Sequence, residues 1–156
     1  IEAPPIFLKN KCMDRDYYLK KGFELYGIMI PSNKYAQGID IMYGSGHKHS
    51  ASDNQPAVYI LTNEGGEVLK HGETQDLSGR FRYGYRTKVN TTNDKIREYI
   101  KTVENIWVYV YPMPIITKKI LGFKCETSYA KGLEYNLLNE YEEKMGRLPI
   151  LNVMKK

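Results

Sequence analysis

"AVYILTNEGGEVLKHGETQDLSGRFRYGYR", residues 57–86, holds two short apolar runs around a polar Gly-Gly turn, followed by a stretch carrying three arginines. Pro56 punctuates its start, so 57–61 reads as a strand, 63–66 as a turn and 67–71 as the return strand of a β-hairpin. Asp76 is a helix-capping residue type, and Leu77, Phe81 and Tyr85 recur at i, i+4, i+8, the spacing of a single apolar helix stripe. A helix therefore follows the hairpin and offers it a covering face.

Downstream, the polar run 87–94 ends that helix, and 94–102 suits a second amphipathic helix. The β-branched and aromatic segment 105–111 predicts a third strand, stopped by Pro112 and Pro114. A long helix is expected over 128–145, with Ala130, Leu133, Leu137 and Tyr141 inward, Gly146 as its stop and Pro149 beyond. The order from Pro56 is β-β-α-α-β-α: an α+β domain with a small three-stranded antiparallel sheet flanked by helices.

Upstream the pattern is weaker. Residues 1–16 read as a tail or lead-in arm, and 17–30 as a helix weakened by Gly22 and Gly27 or as a helix running into a strand. The Gly/Ser-rich stretch 44–54 reads as a loop, and its His47-Lys48-His49 is more simply loop than metal site. Residues 1–55 are accordingly set apart as an N-terminal extension or linker of unknown role, and 56–156 as the domain.

The chain of 156 residues suits one core. Lys plus Arg number 23 against 18 Asp plus Glu, a net +5 that favours polyanionic partners. No apolar run approaches the ~20 residues that cross a bilayer, so no membrane partner is expected. Cys12 and Cys125 stand apart without a Cys-x-x-Cys or Cys/His cluster, which points to neither a disulfide framework nor a structural zinc; whether they pair stays open. The chain starts at Ile1 with no signal-peptide pattern, and the expectation is a piece of a longer protein.

Val58-Tyr59-Ile60-Leu61, then Lys70-His71-Gly72-Glu73-Thr74, then Asp76-Leu77 and Arg80 resemble the signature of the GIY-YIG nuclease superfamily. Ala57-Val58-Tyr59 stands for the first tripeptide and Lys70-His71-Gly72 for the second, and Arg80 falls where the family has its helix arginine. Gly132-Leu133-Glu134-Tyr135-Asn136-Leu137-Leu138 is similar to the helix with the family's metal-binding glutamate, and Pro149-Ile150-Leu151-Asn152 to its trailing Pro and Asn. The resemblance spans about 100 residues, from Pro56 to Asn152.

It implies a phosphodiesterase site with a GIY-YIG-like fold and Mg²⁺ (or Mn²⁺) as the cofactor. Glu134 would be the metal ligand, since Mg²⁺ favours few protein carboxylates and completes its shell with water and phosphate. Arg80 offers a permanently charged fork to a phosphate. Tyr59 would take a water's proton with Lys70 as the charge that tunes it; a hairpin can bring the two to one face, in a register that the sequence does not fix. Lys70 replaces the family's usual second tyrosine, so it marks either a lost catalytic group or a variant in which the amine itself deprotonates water. His71 would share the proton work only where a bulge intervenes, since strand alternation sends it to the other face. Gly72 clears space, Asn152 would brace Glu134 or the phosphate, and Arg82 and Arg86 are assigned to nucleic-acid backbone contacts.

The expected function is a Mg²⁺-dependent endonuclease acting on DNA, with RNA left open and no small-molecule cofactor. Its expected context is the C-terminal toxin domain of a secreted bacterial effector, delivered into a target-cell cytoplasm and bound by a cognate immunity protein. The alternatives are a cytoplasmic restriction, homing or repair nuclease, and a non-catalytic nucleic-acid-binding module.

Overall fold

A computed structural model describes residues 13–43, 55–87 and 90–152. Helix α1 (Arg15–Lys20) leads into strands β1 (Glu24–Pro31) and β2 (Ile39–Tyr43). The hairpin follows as β3 (Ala57–Thr62) and β4 (Val68–Thr74). Helix α2 runs through Leu77–Gly79, a π-helical turn at Arg80–Gly84, and Tyr85–Thr87. Then come α3 (Thr91–Thr102), β5 (Ile106–Pro112), a second hairpin of β6 (Ile116–Ile120) and β7 (Phe123–Thr127), and α4 (Ala130–Met145).

The architecture is α+β with an antiparallel sheet, as expected, but the sheet has five strands in the order β2-β1-β5-β3-β4 rather than three. The two additional strands come from the stretch set apart as an extension, where 17–30 resolves into α1 followed by β1. Gly27 is the reason the strand was hard to read: a Cβ there would lie 2.7 Å from the Met42 carbonyl oxygen across the β1–β2 pair, so it marks a close approach of strands rather than a weak helix. The β6–β7 hairpin has no counterpart among the sequence expectations. The end of the expected arm 1–16 is structured instead, with Met13 in the core and Asp14 capping α1, while residues 1–12, the loop 44–54 with its histidines and Cys12 lie outside the described residues; Cys125 is exposed and free.

Strand β3 pairs with β5 on one side and β4 on the other, and all six of its residues are buried. Alternation then builds two cores. Tyr59 and Leu61 point with Tyr26, Leu69 and Ile106 toward α2 and α3, which contribute Leu77, Phe81, Tyr85, Ile96 and Ile100. Val58 and Ile60 point the other way, against Tyr18 of α1 and Ala130, Leu137 and Tyr141 of α4. Helices α2 and α3 begin where a side chain captures their free N–H groups: Asp76 Oδ1 accepts from Gly79 N at 3.0 Å, and Asn90 Oδ1 from Asn93 N at 2.9 Å. The Asn90 cap starts α3 three residues before the expected Asp94. Gly146, at φ 78°, ends α4 in the left-handed conformation expected of it.

β4 is one of the two edge strands, β2 being the other. The outer side of β4 is partly covered by the C-terminal segment, where Leu151 N donates to Leu69 O at 2.8 Å. Beyond that cover, at Gly72 and Glu73, the edge opens into a cleft between the two helical layers.

Candidate active site

The register of the hairpin builds the first wall. Tyr59 lies opposite Gly72 and Leu61 opposite Lys70, so Tyr59 and Lys70 occupy one face as diagonal neighbours. They do not have the same exposure to the cleft. Lys70 is 9% exposed and lines it, its Nζ donating to His71 O at 3.3 Å. Tyr59 is fully buried behind Gly72, with its ring across the position where a side chain would stand: a Cβ on Gly72 would come within 2.7 Å of Tyr59 Cε1. Gly72 thus clears space, but for a phenol inside the protein.

Helix α2 supplies the second wall. Its π turn closes with Tyr85 N donating to Arg80 O, and this widened turn sets Arg80 and Tyr85 on one side of the helix. The Arg80 guanidinium lies 5.3 Å from the Tyr85 ring centre, and the Tyr85 hydroxyl meets that of Tyr59 at 2.7 Å. The Tyr59 oxygen beside Arg80 raises the pKa of the guanidinium above the ordinary arginine value against the opposing effect of burial. Burial pushes the Tyr85 phenol well up, with Tyr59 adding to the effect and Arg80 opposing it. Tyr85 is therefore held protonated, a hydrogen-bond donor rather than a base. Arg80 Nε is buried without a hydrogen-bond partner among the described residues.

The third wall is the start of α4, where Lys131 and Glu134 share a face and line the cleft with Leu138. Glu134 is near enough to Tyr85 for its charge to raise that phenol further. The cleft has a volume of about 410 Å³, and Glu73, Asn152 and the first turn of α3 at Thr91 and Thr92 complete it. Lys70, Arg80 and Lys131 face the two carboxylates Glu73 and Glu134, and the positive end of α3 adds to the cationic side. An anion with a cation-binding oxygen on one side suits this distribution.

Lys70, Gly72, Arg80, Glu134 and Asn152 are therefore brought together, and other predicted residues are not. His71 is buried on the opposite face against Tyr18 and Tyr141, its Nε2 2.5 Å from the Tyr18 hydroxyl. Burial, with Lys70 next to it, lowers the imidazole pKa to about 3. Asn152 braces neither Glu134 nor open space: its Oδ1 accepts from His71 N at 2.9 Å and its Nδ2 donates to His71 O at 3.1 Å, pinning β4. Arg86 Nη2 pairs with Asp40 Oδ1 at 2.6 Å, and its guanidinium stacks 4.4 Å from the Tyr35 ring centre, so its charge is committed within the protein. Arg82, on the same helix, is half-buried beside Tyr43 and Tyr83.

Sequence reasoning missed Glu73, Lys131 and the start of α3 as cleft residues, and read Tyr85 as core alone. Spacing would have found Lys131, three residues before Glu134 on one helix face. Nothing local signals the others, which depend on how α3 meets β4.

No family model matches the chain, and no curated protein sequence matches it. The fold is shared with solved endonuclease structures. One is the restriction endonuclease HPY188I in complex with product DNA, with a TM-score of 0.56 and 21% identity over 94% of this chain and 89% of that one. Another is a mutant of bacteriophage T4 EndoII, with a TM-score of 0.64 and 13% identity over 91% of this chain and 100% of that one. The chain thus shares its fold with these endonuclease structures, which align over 94% and 91% of it.

Proposed function

We propose that the protein is a DNA endonuclease of the GIY-YIG type and that the cleft beside β4 hydrolyses a phosphodiester bond. The observation that carries this reading is the convergence of Lys70, Arg80 and Glu134, from β4, α2 and α4, on one cleft. The shared fold with a DNA-bound endonuclease supports it.

Arg80 presents its charged fork to the phosphate and stabilises the charge that grows on the phosphoryl oxygens. Its buried contacts with Tyr59 and Tyr85 hold it in one orientation, which makes these two tyrosines positioning residues. Lys70, at the cleft wall, takes the proton of the attacking water through its unprotonated amine form, becoming the ammonium. The water oxygen bonds to phosphorus, the bond from phosphorus to the sugar oxygen breaks, and that oxygen leaves with a proton from solvent. This assigns the base role to Lys70 rather than to Tyr59, because the Tyr59 hydroxyl is already engaged below the cleft.

Among the described residues no three or more His, Cys, Asp or Glu gather as a metal cage. Mg²⁺ needs only one or two carboxylates, with water and substrate phosphate completing its octahedron, so Glu134 with Glu73 nearby fits it. When bound there, the ion supplies neutralising charge for the phosphoryl group.

The test is nicking of supercoiled plasmid by the purified protein with and without Mg²⁺. Glu134→Ala and Arg80→Ala are expected to abolish nicking while keeping the wild-type circular dichroism spectrum. Full cleavage by both variants would sink the site; duplex binding without cleavage by the wild type would mean a binding module. We also propose the delivered-toxin context, with an immunity protein as partner. A long secretion-related upstream part and a small adjacent gene in the parent locus support it, whereas an adjacent methyltransferase gene means restriction.

A further inference from the structure

All ten strand residues of the β6–β7 hairpin are exposed. A two-stranded hairpin whose side chains are exposed on both faces is marginal in water by itself, so its surface calls for a partner. The register sorts its side chains. Ile116, Lys118, Ile120, Phe123 and Cys125 share one side, and Thr117, Lys119, Lys124 and Glu126 the other. On that second side Lys119 and Lys124 are direct cross-strand partners, a like-charge pair that Glu126, 3.9 Å from Lys124 Nζ, offsets in part and that a phosphate across it would relieve.

The tip adds an independent observation. Leu121 and Gly122 form the turn with φ 51° and 81°, a conformation that Asn-Gly adopts at far less cost. The leucine there is 91% exposed, and Phe123 beside it is 72% exposed. An apolar side chain is thus displayed at the point of the ribbon against its own backbone preference.

The base of the hairpin stands at the cleft. Ser128 Oγ donates to Gln75 Oε1 at 3.1 Å, just past the end of β4, and α4 begins two residues later with Lys131 and Glu134 in the cleft. A two-stranded ribbon is the size of object that the DNA major groove admits, and apolar side chains there meet thymine methyl groups.

We propose that the β6–β7 hairpin is a duplex-DNA-binding arm, with Lys119 and Lys124 on backbone phosphates and Leu121 and Phe123 against the bases. The inference deepens the nuclease reading and rests on it for the choice of partner. A second copy of this chain fits the surface less well: Lys118 stands between Ile116 and Ile120, so pairing the apolar sides of two hairpins would bury like charges together.

The test is fluorescence anisotropy of a labelled duplex titrated with the full chain in EDTA, over a range of salt concentrations. Wild type is compared with the Lys119→Ala/Lys124→Ala double variant and with Leu121→Asn. Two phosphate contacts contribute about 1.8 to the slope of log K against log salt, so the double variant should lose that much slope and about tenfold or more in affinity at moderate salt. Leu121→Asn suits the turn better, so weakened binding with an unchanged or higher melting temperature assigns the effect to the lost side chain. Unchanged affinity and slope in both variants overturn the proposal. So does a wild-type dimer that either variant converts to a monomer without loss of duplex affinity. Because EDTA separates binding from cleavage, hairpin-independent binding by a protein that nicks plasmid fails the arm alone. Hairpin-dependent binding by a protein that never nicks fails the nuclease reading alone.

Discussion

The Tyr59 ring fills the space that a side chain at Gly72 would occupy, and its hydroxyl continues inward to Tyr85. Gly72→Ala forces the ring off its position or the two strands apart. The expected cost is about 1–3 kcal/mol, the range for overpacking a filled core. Urea unfolding at neutral pH measures it, and a variant as stable as wild type would mean that the ring moves freely.

Tyr59→Phe removes the hydroxyl but keeps the packing. It leaves the buried Tyr85 hydroxyl without its partner, at about 1–2 kcal/mol. Cleavage should fall by no more than about tenfold, whereas Lys70→Met should cost about 10²-fold or more, the scale of a lost general base. The reverse ranking in single-turnover plasmid cleavage would return the base role to Tyr59.

Arg80→Lys retains the charge and loses the fork. A drop of about 10²-fold in cleavage, on the scale of one lost electrostatic contact to a transition state, is expected with Glu134 intact. Lysine performing as well as arginine would show that charge alone suffices.

His71 carries a pH dependence of stability. Its pKa is lowered to about 3 in the fold against about 6.5 unfolded, so between these values the unfolded chain binds the additional proton. The stability from burying it neutral is whole above about pH 6.5 and is lost progressively as pH falls toward 3. Between pH 7 and 5 the loss is about 2 kcal/mol, and His71→Gln should flatten that part of the profile. Urea midpoints at the two pH values, wild type against variant, provide the check.

Arg86→Ala should act on stability. It strips Asp40, whose side chain is 22% exposed, of its partner at a cost of about 1–3 kcal/mol. The salt slope of duplex binding should stay as in wild type; a fall of about 0.9 would reinstate Arg86 as a phosphate contact.

The elements legible in the sequence were those whose signals are local. The β3–β4 hairpin announces itself by two apolar runs around Gly65-Gly66, α2 by Asp76 and its stripe, and α4 by a long stripe closed by Gly146. β1 was ambiguous because Gly27 serves a neighbouring strand rather than its own segment. β6 and β7 were invisible because both faces are exposed, which leaves no apolar alternation to read, and because they turn through leucine. Within the cleft, the resemblance to the GIY-YIG signature pointed to Lys70, Arg80 and Glu134. The burial of Tyr59, the clamp of Asn152 on His71 and the capture of Arg86 by Asp40 join residues 26, 81 and 46 positions apart, and no local pattern records them.

The π turn in α2 makes the helix one residue longer than a regular path between Leu77 and Tyr85 would need. Deleting Tyr83, which is 62% exposed, would let an ordinary α-helical turn close at that point. The trimmed helix would be regular with Tyr85 still one turn from Arg80, whereas a regular α-helix of unchanged length would carry Tyr85 about 100° further round. In that second helix Tyr85 would swing away from Tyr59, and the arginine would lose the phenol it rests on. An irregularity in the backbone thus acts as the shim that sets the angle between two side chains, and smoothing it at unchanged length would improve the helix at the expense of the site.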